Sequence, residues 1–301
     1  MFERRRALAI AVSRLERDHA SMSSPPLYDR IGRRYSAGRR TDPAIAQTLR
    51  TSIGDARTVL NVGAGTGSYE PSDLSVTAVE PSAAMIAQRP EGSAPVVQAA
   101  TEALPFQDDA FDVVTAVISD HHWSNRAKAL RELRRVARLR VVLVNSDPAA
   151  SNHFWLTRDY LPGFVDLVPE PYRTSGYWRA ELVEMLGEAS VEVLPVHHDC
   201  HDGFYQAFWR RPTAYLDPAC CPREHLRLPS PPCHRGDRGH YTSSTRSGER
   251  QLASAIRRAL QAGSRRRCVA HSRCRRCNAR RVTVVRGVAR RGPQRDALSF
   301  L

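Results

Sequence analysis

A short glycine-rich turn between two apolar segments constrains the fold of this chain more than any other feature. Residues 58–62 are typical of a buried strand, and glycines follow at every second position of the segment 63–67. Glycine has no Cβ and tolerates positive φ, so such a turn lets the backbone approach a ligand closely. A second strand is predicted at 74–79, and Glu80 ends it. This layout is typical of a nucleotide-type site in a doubly wound sheet.

The spacing of the glycines argues against two common phosphate-binding turns. The dinucleotide fingerprint places its third glycine at the sixth position, which is Ser68 here, whereas Gly67 comes one position early. No lysine follows the turn, as a P-loop requires. The Glu80 carboxylate can instead accept hydrogen bonds from both ribose hydroxyls of an adenosine ligand. The alternative is a tight connection between strand and helix that binds nothing.

Four ordered motifs resemble those of class I S-adenosylmethionine-dependent methyltransferases, in particular their type 11 small-molecule group. The first motif is the G-x-G-x-G turn, and the others lie at 79–82 with Met85, at 102–106 and at 110–114. The resemblance covers residues 28–218. It implies an α/β fold with a doubly wound, mostly parallel, Rossmann-like sheet. It also implies S-adenosyl-L-methionine as the cofactor and a small molecule as the methyl acceptor.

The resemblance further implies a set of cofactor-binding residues at the carboxyl ends of the strands. The set consists of Asn61, Gly63, Ala64, Gly65, Thr66, Gly67, Glu80, Pro81, Met85, Thr101, Glu102 and Ser119. Asn61 departs from the family pattern, because an acidic residue often contacts the methionyl amino group from this position. Ala100 also departs, since an Asp that often binds adenine falls near it. Adenine is then left to backbone groups around Thr101 and to apolar packing.

The loop after the fourth predicted strand, Asp120-His121-His122-Trp123, is the candidate catalytic segment. His122 is the candidate general base, because the pKa of imidazole lies near neutral pH. Trp123 could form a wall of the acceptor pocket or contact a cation through its ring face. The alternative, favoured by the resemblance, is that the loop packs against the cofactor and holds the next helix.

A second polar cluster, His197-His198-Asp199-Cys200-His201-Asp202, contains residue types that bind metals. Adjacent side chains of an extended segment point to opposite faces, so few of them can converge on one ion. We therefore expect no metal site and interpret the cluster as structural or substrate-lining.

The positive charge of the chain is concentrated in its C-terminal part. The formal net charge is +14, and residues 219–301 alone carry 20 Arg, no Lys and four acidic residues. The other 218 residues carry 25 basic and 27 acidic residues. Six of the seven cysteines also lie after residue 218. The methyltransferase-like part is therefore not basic, and nucleic acid is not its expected partner.

The change of composition at residue 219 has two interpretations. One is a frameshifted reading of a GC-rich gene, since the chain has 44 Arg and one Lys. On this interpretation the sheet lacks its last strand, and the product is an inactive, truncated methyltransferase. The other interpretation is a genuine basic tail that binds RNA or DNA through phosphate contacts. A short strand is possible at 281–285, and the cysteine-rich run 268–277 is spaced too tightly to favour a zinc site.

The chain is thus expected to have three parts: a flexible N-terminal extension at 1–27, the methyltransferase domain at 28–218, and a largely disordered Arg/Cys-rich tail at 219–301. The apolar run at 8–12 is too short for a secretory signal, and no run reaches a transmembrane length. We expect a cytoplasmic protein without a membrane partner. The oligomeric state cannot be derived from the sequence.

Alternating elements complete the predicted domain. Asp42 and Ser82 are predicted N-caps. The predicted strands lie near 58–62, 75–79, 95–98, 112–118, 140–145 and 190–196, and the predicted helices at 43–52, 82–88, 126–138 and 179–188.

Overall fold

The computed structural model describes residues 29, 38–146, 154–160, 175–187, 189–216 and 281–288. Seven strands lie in this part of the chain: β1 (Thr58–Val62), β2 (Ser75–Val79), β3 (Val96–Val97), β4 (Phe111–Val117), β5 (Ala137–Ser146), β6 (Ala189–Pro195) and β7 (Arg281–Val288). They form one sheet in the order β3-β2-β1-β4-β5-β7-β6. All six predicted strands are present.

The sheet is parallel from β3 to β5. β1 pairs in parallel with both β2 and β4, β2 pairs with β3, and β4 pairs with β5. β7 lies between β5 and β6 and runs antiparallel to both. The predicted fold class, a doubly wound and mostly parallel α/β sheet, is confirmed.

The seventh strand comes from the part of the sequence expected to have little order. The possible short strand at 281–285 is present and extends to Val288. Its β-branched residues suit a sheet position, and its backbone pairs with both β5 and β6. The expectation that the sheet lacks its last strand is therefore wrong. The remainder of the predicted tail, like the extension at 1–27, lies outside the described residues.

Helices lie before, between and after the parallel strands. Five α-helices lie in the described ranges: α1 (Pro43–Ile53), α2 (Ala83–Ile86), α3 (Arg126–Val136), α4 (Trp155–Tyr160) and α5 (Ser175–Leu186). Two 3₁₀ turns lie at Asp120–His122 and Pro212–Leu216. The Asp42 carboxylate accepts the Ala44 N–H at 3.0 Å, and Ser82 Oγ accepts the Met85 N–H at 3.3 Å. Both predicted N-caps are confirmed.

The sheet is covered on both faces, because alternate residues of each strand point in opposite directions. Val59 of β1 packs in one apolar cluster with Leu49 of α1, and its neighbour Leu60 packs in another with Leu130 of α3 and Leu182 of α5. These five leucine and valine residues are at most 2% exposed. The two clusters leave the ends of the strands as the place where polar groups can gather.

A buried carboxylate ties three distant segments together. Asp202 is fully buried and forms an ion pair with Arg39, with Nε–Oδ1 at 2.7 Å. The Tyr69 hydroxyl donates to Asp202 Oδ2 at 2.8 Å. The backbone N–H of His201, next in the chain, donates to Asp42 Oδ2 at 3.0 Å. This network fixes the segment that follows the glycine-rich turn against both the start of α1 and the segment after β6.

Candidate functional site

The glycine-rich turn lies at the carboxyl end of β1, as predicted. Gly63, Gly65 and Gly67 have φ values of +66°, +53° and +93°, in the region that L residues avoid. A Cβ at Gly63 would lie 2.6 Å from the Cβ of Ser119, which follows β4. The first glycine is thus needed for the backbone angle and for the close approach of the β4 end.

The N–H groups of this turn are largely used by the protein itself. The Ala64 N–H donates to the Val79 carbonyl at 3.0 Å, and the Gly67 N–H donates to the Ala64 carbonyl at 2.9 Å. The Gly65 N–H donates to Glu80 Oε2 at 2.8 Å. A phosphate-binding turn instead presents free N–H groups to its anion. The geometry therefore fits a ligand without phosphate at this position, in agreement with the argument from glycine spacing.

Glu80 follows the last residue of β2, and the whole residue is only 4% exposed. One oxygen accepts the Gly65 N–H, and the other accepts the Ser82 N–H at 2.9 Å. Burial raises the pKa of Glu80, and the two N–H bonds only partly offset that shift. Each carboxylate oxygen keeps a second acceptor position. Glu80 can therefore brace the turn and still accept hydroxyl groups from a ribose.

Asn61 is buried on β1, and its neighbours were not identified from the sequence. Its Nδ2 donates to Glu70 Oε1 at 3.2 Å, which leaves the carboxamide oxygen as the atom that can accept from an ammonium group. Glu70 forms a buried ion pair with Arg89 at 2.8 Å. Arg89 also reaches the Gly65 carbonyl, with Nη1–O at 3.4 Å. No sequence motif marks this pair, because the two residues meet only when β2 lies beside β1.

The remaining predicted cofactor residues lie along the ends of β2, β3 and β4. Met85 and Thr101 are buried, Pro81 is half-buried, and Ala64, Thr66 and Ser119 are buried around the turn. Glu102 has a different principal partner: its Oε1 accepts the Ser124 hydroxyl at 2.8 Å and the Asn125 N–H at 3.0 Å. That carboxylate supports the start of α3, and its contact with a cofactor stays a prediction.

The loop after β4 forms the 3₁₀ turn that contains Asp120, His121 and His122. His122 is exposed, and its ring centroid lies 3.8 Å from that of His121. Trp123 follows and packs against the apolar cluster around α3. Asp120 accepts hydrogen bonds from Arg126 Nη2 at 2.9 Å and from Asn145 Nδ2 at 2.8 Å. The loop therefore combines an exposed imidazole pair with a carboxylate held in place.

The polar cluster at 197–202 does not form one extended segment. His198 and Asp199 lie in a turn, and ligand atoms of His197, His198 and Asp199 lie within 4.8 Å of one another. The expectation that neighbouring side chains diverge is thus wrong for these three residues, because the turn redirects them. All three are exposed. Cys200 is buried, and burial raises its pKa to about 12, so its thiolate form is scarce at neutral pH.

Several predicted features fall outside the described residues. One of them is the cysteine-rich run at 268–277. In the described part of the chain, no helix is long and apolar enough to cross a membrane.

Residues 60–144 match a protein family described as a methyltransferase domain. The uncharacterized protein YafE of Escherichia coli is 31% identical over 96 residues, which cover 32% of this chain and 45% of YafE. YcgJ of Bacillus subtilis, named an uncharacterized methyltransferase, is 33% identical over 89 residues, which cover 26% of this chain and 35% of YcgJ. The match thus spans less than half the length of either curated relative.

A solved structure from Anabaena variabilis, described as a methyltransferase from an antibiotic biosynthesis pathway, is similar over most of the chain. Its TM-score is 0.59 at 22% identity, with 83% of this chain and 98% of that chain covered. Together with the family match, this likeness confirms the predicted resemblance. The fold is that of the class I methyltransferases that use S-adenosylmethionine. At this identity the solved structure supports the fold alone.

Proposed function

We propose that this protein transfers a methyl group from S-adenosyl-L-methionine to a small-molecule acceptor. The observation that carries the proposal is the pairing of the glycine-rich turn with the buried Glu80 carboxylate at the ends of β1 and β2. N–H groups of the turn donate to acceptors of the protein itself, which suits a nucleoside ligand without phosphates. The Glu80 oxygens keep acceptor positions for the ribose hydroxyls.

Further residues fit the other parts of the cofactor. The Asn61 carboxamide oxygen is directed to accept from the methionyl ammonium group, because its Nδ2 already donates to Glu70. The buried Met85 and Thr101 provide apolar and polar contact for adenine. Ser119 packs across Gly63 and so closes the side of the turn next to β4.

In methyl transfer from a sulfonium, the main role of the protein is to align the donor and the acceptor. The sulfonium of the cofactor is an activated methyl donor, so the chain must orient the acceptor in line with it and keep water away. His122 is proposed as the base for an acceptor that must lose a proton. A His122→Gln variant should then lose most of its turnover below the pKa of such an acceptor and retain its cofactor affinity. If His122→Gln has the same pH profile of turnover as the wild type, His122 is not the base and the loop has a packing role only.

A small-molecule acceptor is favoured over nucleic acid by charge. Residues 1–218 carry 25 basic and 27 acidic residues, so the catalytic part offers no excess of positive charge for a phosphate backbone. Binding of nucleic acid through residues 219–301 stays a separate prediction, which steep salt dependence and loss on removing those residues would test.

The proposal is tested by titrating S-adenosylhomocysteine into the purified full-length chain in a calorimeter. We expect one molecule to bind per chain, and we expect Gly65→Val and Glu80→Ala to abolish the heat of binding. Thermal unfolding of each variant serves as the control for folding. A folded wild-type chain that does not bind S-adenosylhomocysteine would refute the proposal.

A further inference from the structure

Two acceptor oxygens have no hydrogen-bond partner among the described residues at the place where β4 and β5 end side by side. Asn145 belongs to β5 and is 3% exposed, and Asp120 follows β4 in the adjacent 3₁₀ turn. Asn145 Nδ2 donates to Asp120 Oδ2 at 2.8 Å. In a parallel sheet, ligands bind at these carboxyl ends. The pair is next to Ser119, whose side chain lies against the first glycine of the turn.

The carboxylate fixes which way the Asn145 amide points. A carboxylate oxygen accepts hydrogen bonds, so the NH₂ group of Asn145 faces Asp120 and the carboxamide oxygen faces away from it. That buried oxygen, Oδ1, has no hydrogen-bond partner in the described part of the chain. Native structures rarely leave such an acceptor unpaired, and an exception calls for an explanation such as a ligand or a water.

The Asp120 carboxylate, like the Asn145 amide, uses one of its two polar atoms for hydrogen bonds within the protein. Its Oδ2 accepts from Asn145 and from both Nε and Nη2 of Arg126, at 3.1 and 2.9 Å. On the side of Oδ1, His121 Nδ1 lies 4.0 Å away, which is beyond hydrogen-bond distance. Arg126 therefore holds the carboxylate by one oxygen and leaves the other to face a ligand.

The Trp123 indole adds a second unpaired polar atom to the same loop. Its Nε1 is buried, and no described residue forms a hydrogen bond with it. A loop that closes only over apolar cofactor atoms has no need for unpaired polar atoms. The arrangement therefore points to a polar ligand beside the loop.

We propose that Asn145 Oδ1 and Asp120 Oδ1 form a subsite that accepts hydrogen bonds from an N–H or O–H group of the methyl acceptor. This inference rests on the proposed function, and it narrows the acceptor to an amine or a hydroxyl compound. Asn145 is then a residue that determines acceptor specificity. Arg126 is a positioning residue, because it acts through Asp120.

The test uses three aromatic probes and the full-length chain saturated with S-adenosylhomocysteine. Benzylamine carries N–H donors and a positive charge, benzyl alcohol carries one neutral O–H donor, and benzyltrimethylammonium carries the charge without a donor. We expect at least one of the first two to bind about tenfold more tightly than benzyltrimethylammonium, measured by calorimetry. The better of the two identifies an amine or a hydroxyl as the preferred group.

Asn145→Leu should remove this tenfold preference and leave the affinity for S-adenosylhomocysteine unchanged. Thr115→Val is the matched control, because Thr115 is a buried polar residue of β4 whose hydroxyl already donates to the Leu60 carbonyl at 3.3 Å. That variant should retain the preference. The wild-type comparison of the three probes remains decisive even if Asn145→Leu fails to fold.

Equal binding of the three probes, or no binding of any, to a chain that does bind S-adenosylhomocysteine would overturn the subsite alone. Tighter binding of benzyltrimethylammonium would assign the loop to cation recognition by Trp123 and would also overturn it. A chain that binds no S-adenosylhomocysteine would overturn both this inference and the proposed function.

Discussion

At Gly63, both the backbone conformation and the packing against Ser119 require a glycine. An alanine there would adopt a φ of +66° and place its Cβ 2.6 Å from that of Ser119. We expect Gly63→Ala to lower the free energy of unfolding by about 2–5 kcal/mol, since a left-handed backbone and overpacking both cost energy. Binding of S-adenosylhomocysteine should be lost with it.

Gly92 provides the matched control for that substitution. It has a φ of +79°, but nothing lies within 4 Å of an added Cβ. Gly92→Ala should therefore cost about 1–2 kcal/mol and leave binding intact. Chemical unfolding of both variants separates the two contributions, and equal costs would contradict the role assigned to Ser119.

The affinity for S-adenosylhomocysteine should depend on pH through the Glu80 carboxyl, and the sign of this dependence can be predicted. Burial raises its pKa in the folded chain, and ribose hydroxyls donate to the ionised form. The affinity for S-adenosylhomocysteine should therefore fall as the pH drops through this raised pKa. Glu80→Gln should bind about tenfold more weakly above it and show no such pH dependence.

The stability contribution of Glu80 should have the opposite sign. A carboxyl whose pKa is higher in the folded than in the unfolded chain binds a proton on folding, so it stabilises the fold at acid pH. That contribution is lost as the pH rises through the folded pKa. The difference in unfolding free energy between wild type and Glu80→Gln, measured across this range, checks the sign. A difference that grows with pH in favour of wild type would disprove it.

At the scale of elements, the Glu70–Arg89 ion pair links the loop after β1 to the segment after α2. Both side chains are largely buried, at 8% and 5% exposed, and Arg89 also donates to the Ala94 carbonyl at 3.0 Å. Arg89→Met should destabilise the fold by about 3–5 kcal/mol, because it leaves a buried carboxylate without its partner.

A double-mutant cycle makes that prediction specific. Combining Arg89→Met with Glu70→Gln removes the unpaired charge, so the double variant should be more stable than Arg89→Met alone. Strict additivity of the two single effects, measured by chemical unfolding, would show that the ion pair does not couple these elements.

For the whole molecule, the decisive element is β7. It supplies the backbone partners that separate β5 from β6, and without it the long strand β5 becomes an unpaired edge. We expect a chain ending at residue 280 to aggregate and to lose its cooperative thermal transition. A chain ending at residue 288 should keep both its solubility and its transition, as judged by gel filtration and calorimetry.

The same experiment bears on the frameshift hypothesis. That hypothesis stays a prediction, and the underlying DNA is its direct test. Equal behaviour of the chains that end at 280 and 288 would show that residues 281–288 do not complete the sheet, as the frameshift interpretation expects.

Local chemistry allowed much of this protein to be predicted from its sequence. The glycine-rich turn, the N-caps Asp42 and Ser82 and the six strands within 58–196 follow from backbone preferences and side-chain alternation, which act between near neighbours. The position of Glu80 at the end of β2 follows in the same way.

Tertiary structure alone decided which residues of different elements meet. The contact of Asn61 with Glu70, the ion pair of Glu70 with Arg89, the pairing of Asn145 with Asp120 and the position of β7 between β5 and β6 all join different elements or loops of the chain. Such contacts depend on strand order and on which face each side chain occupies. Strand order is a property of the whole sheet, so the sequence of one segment does not determine it.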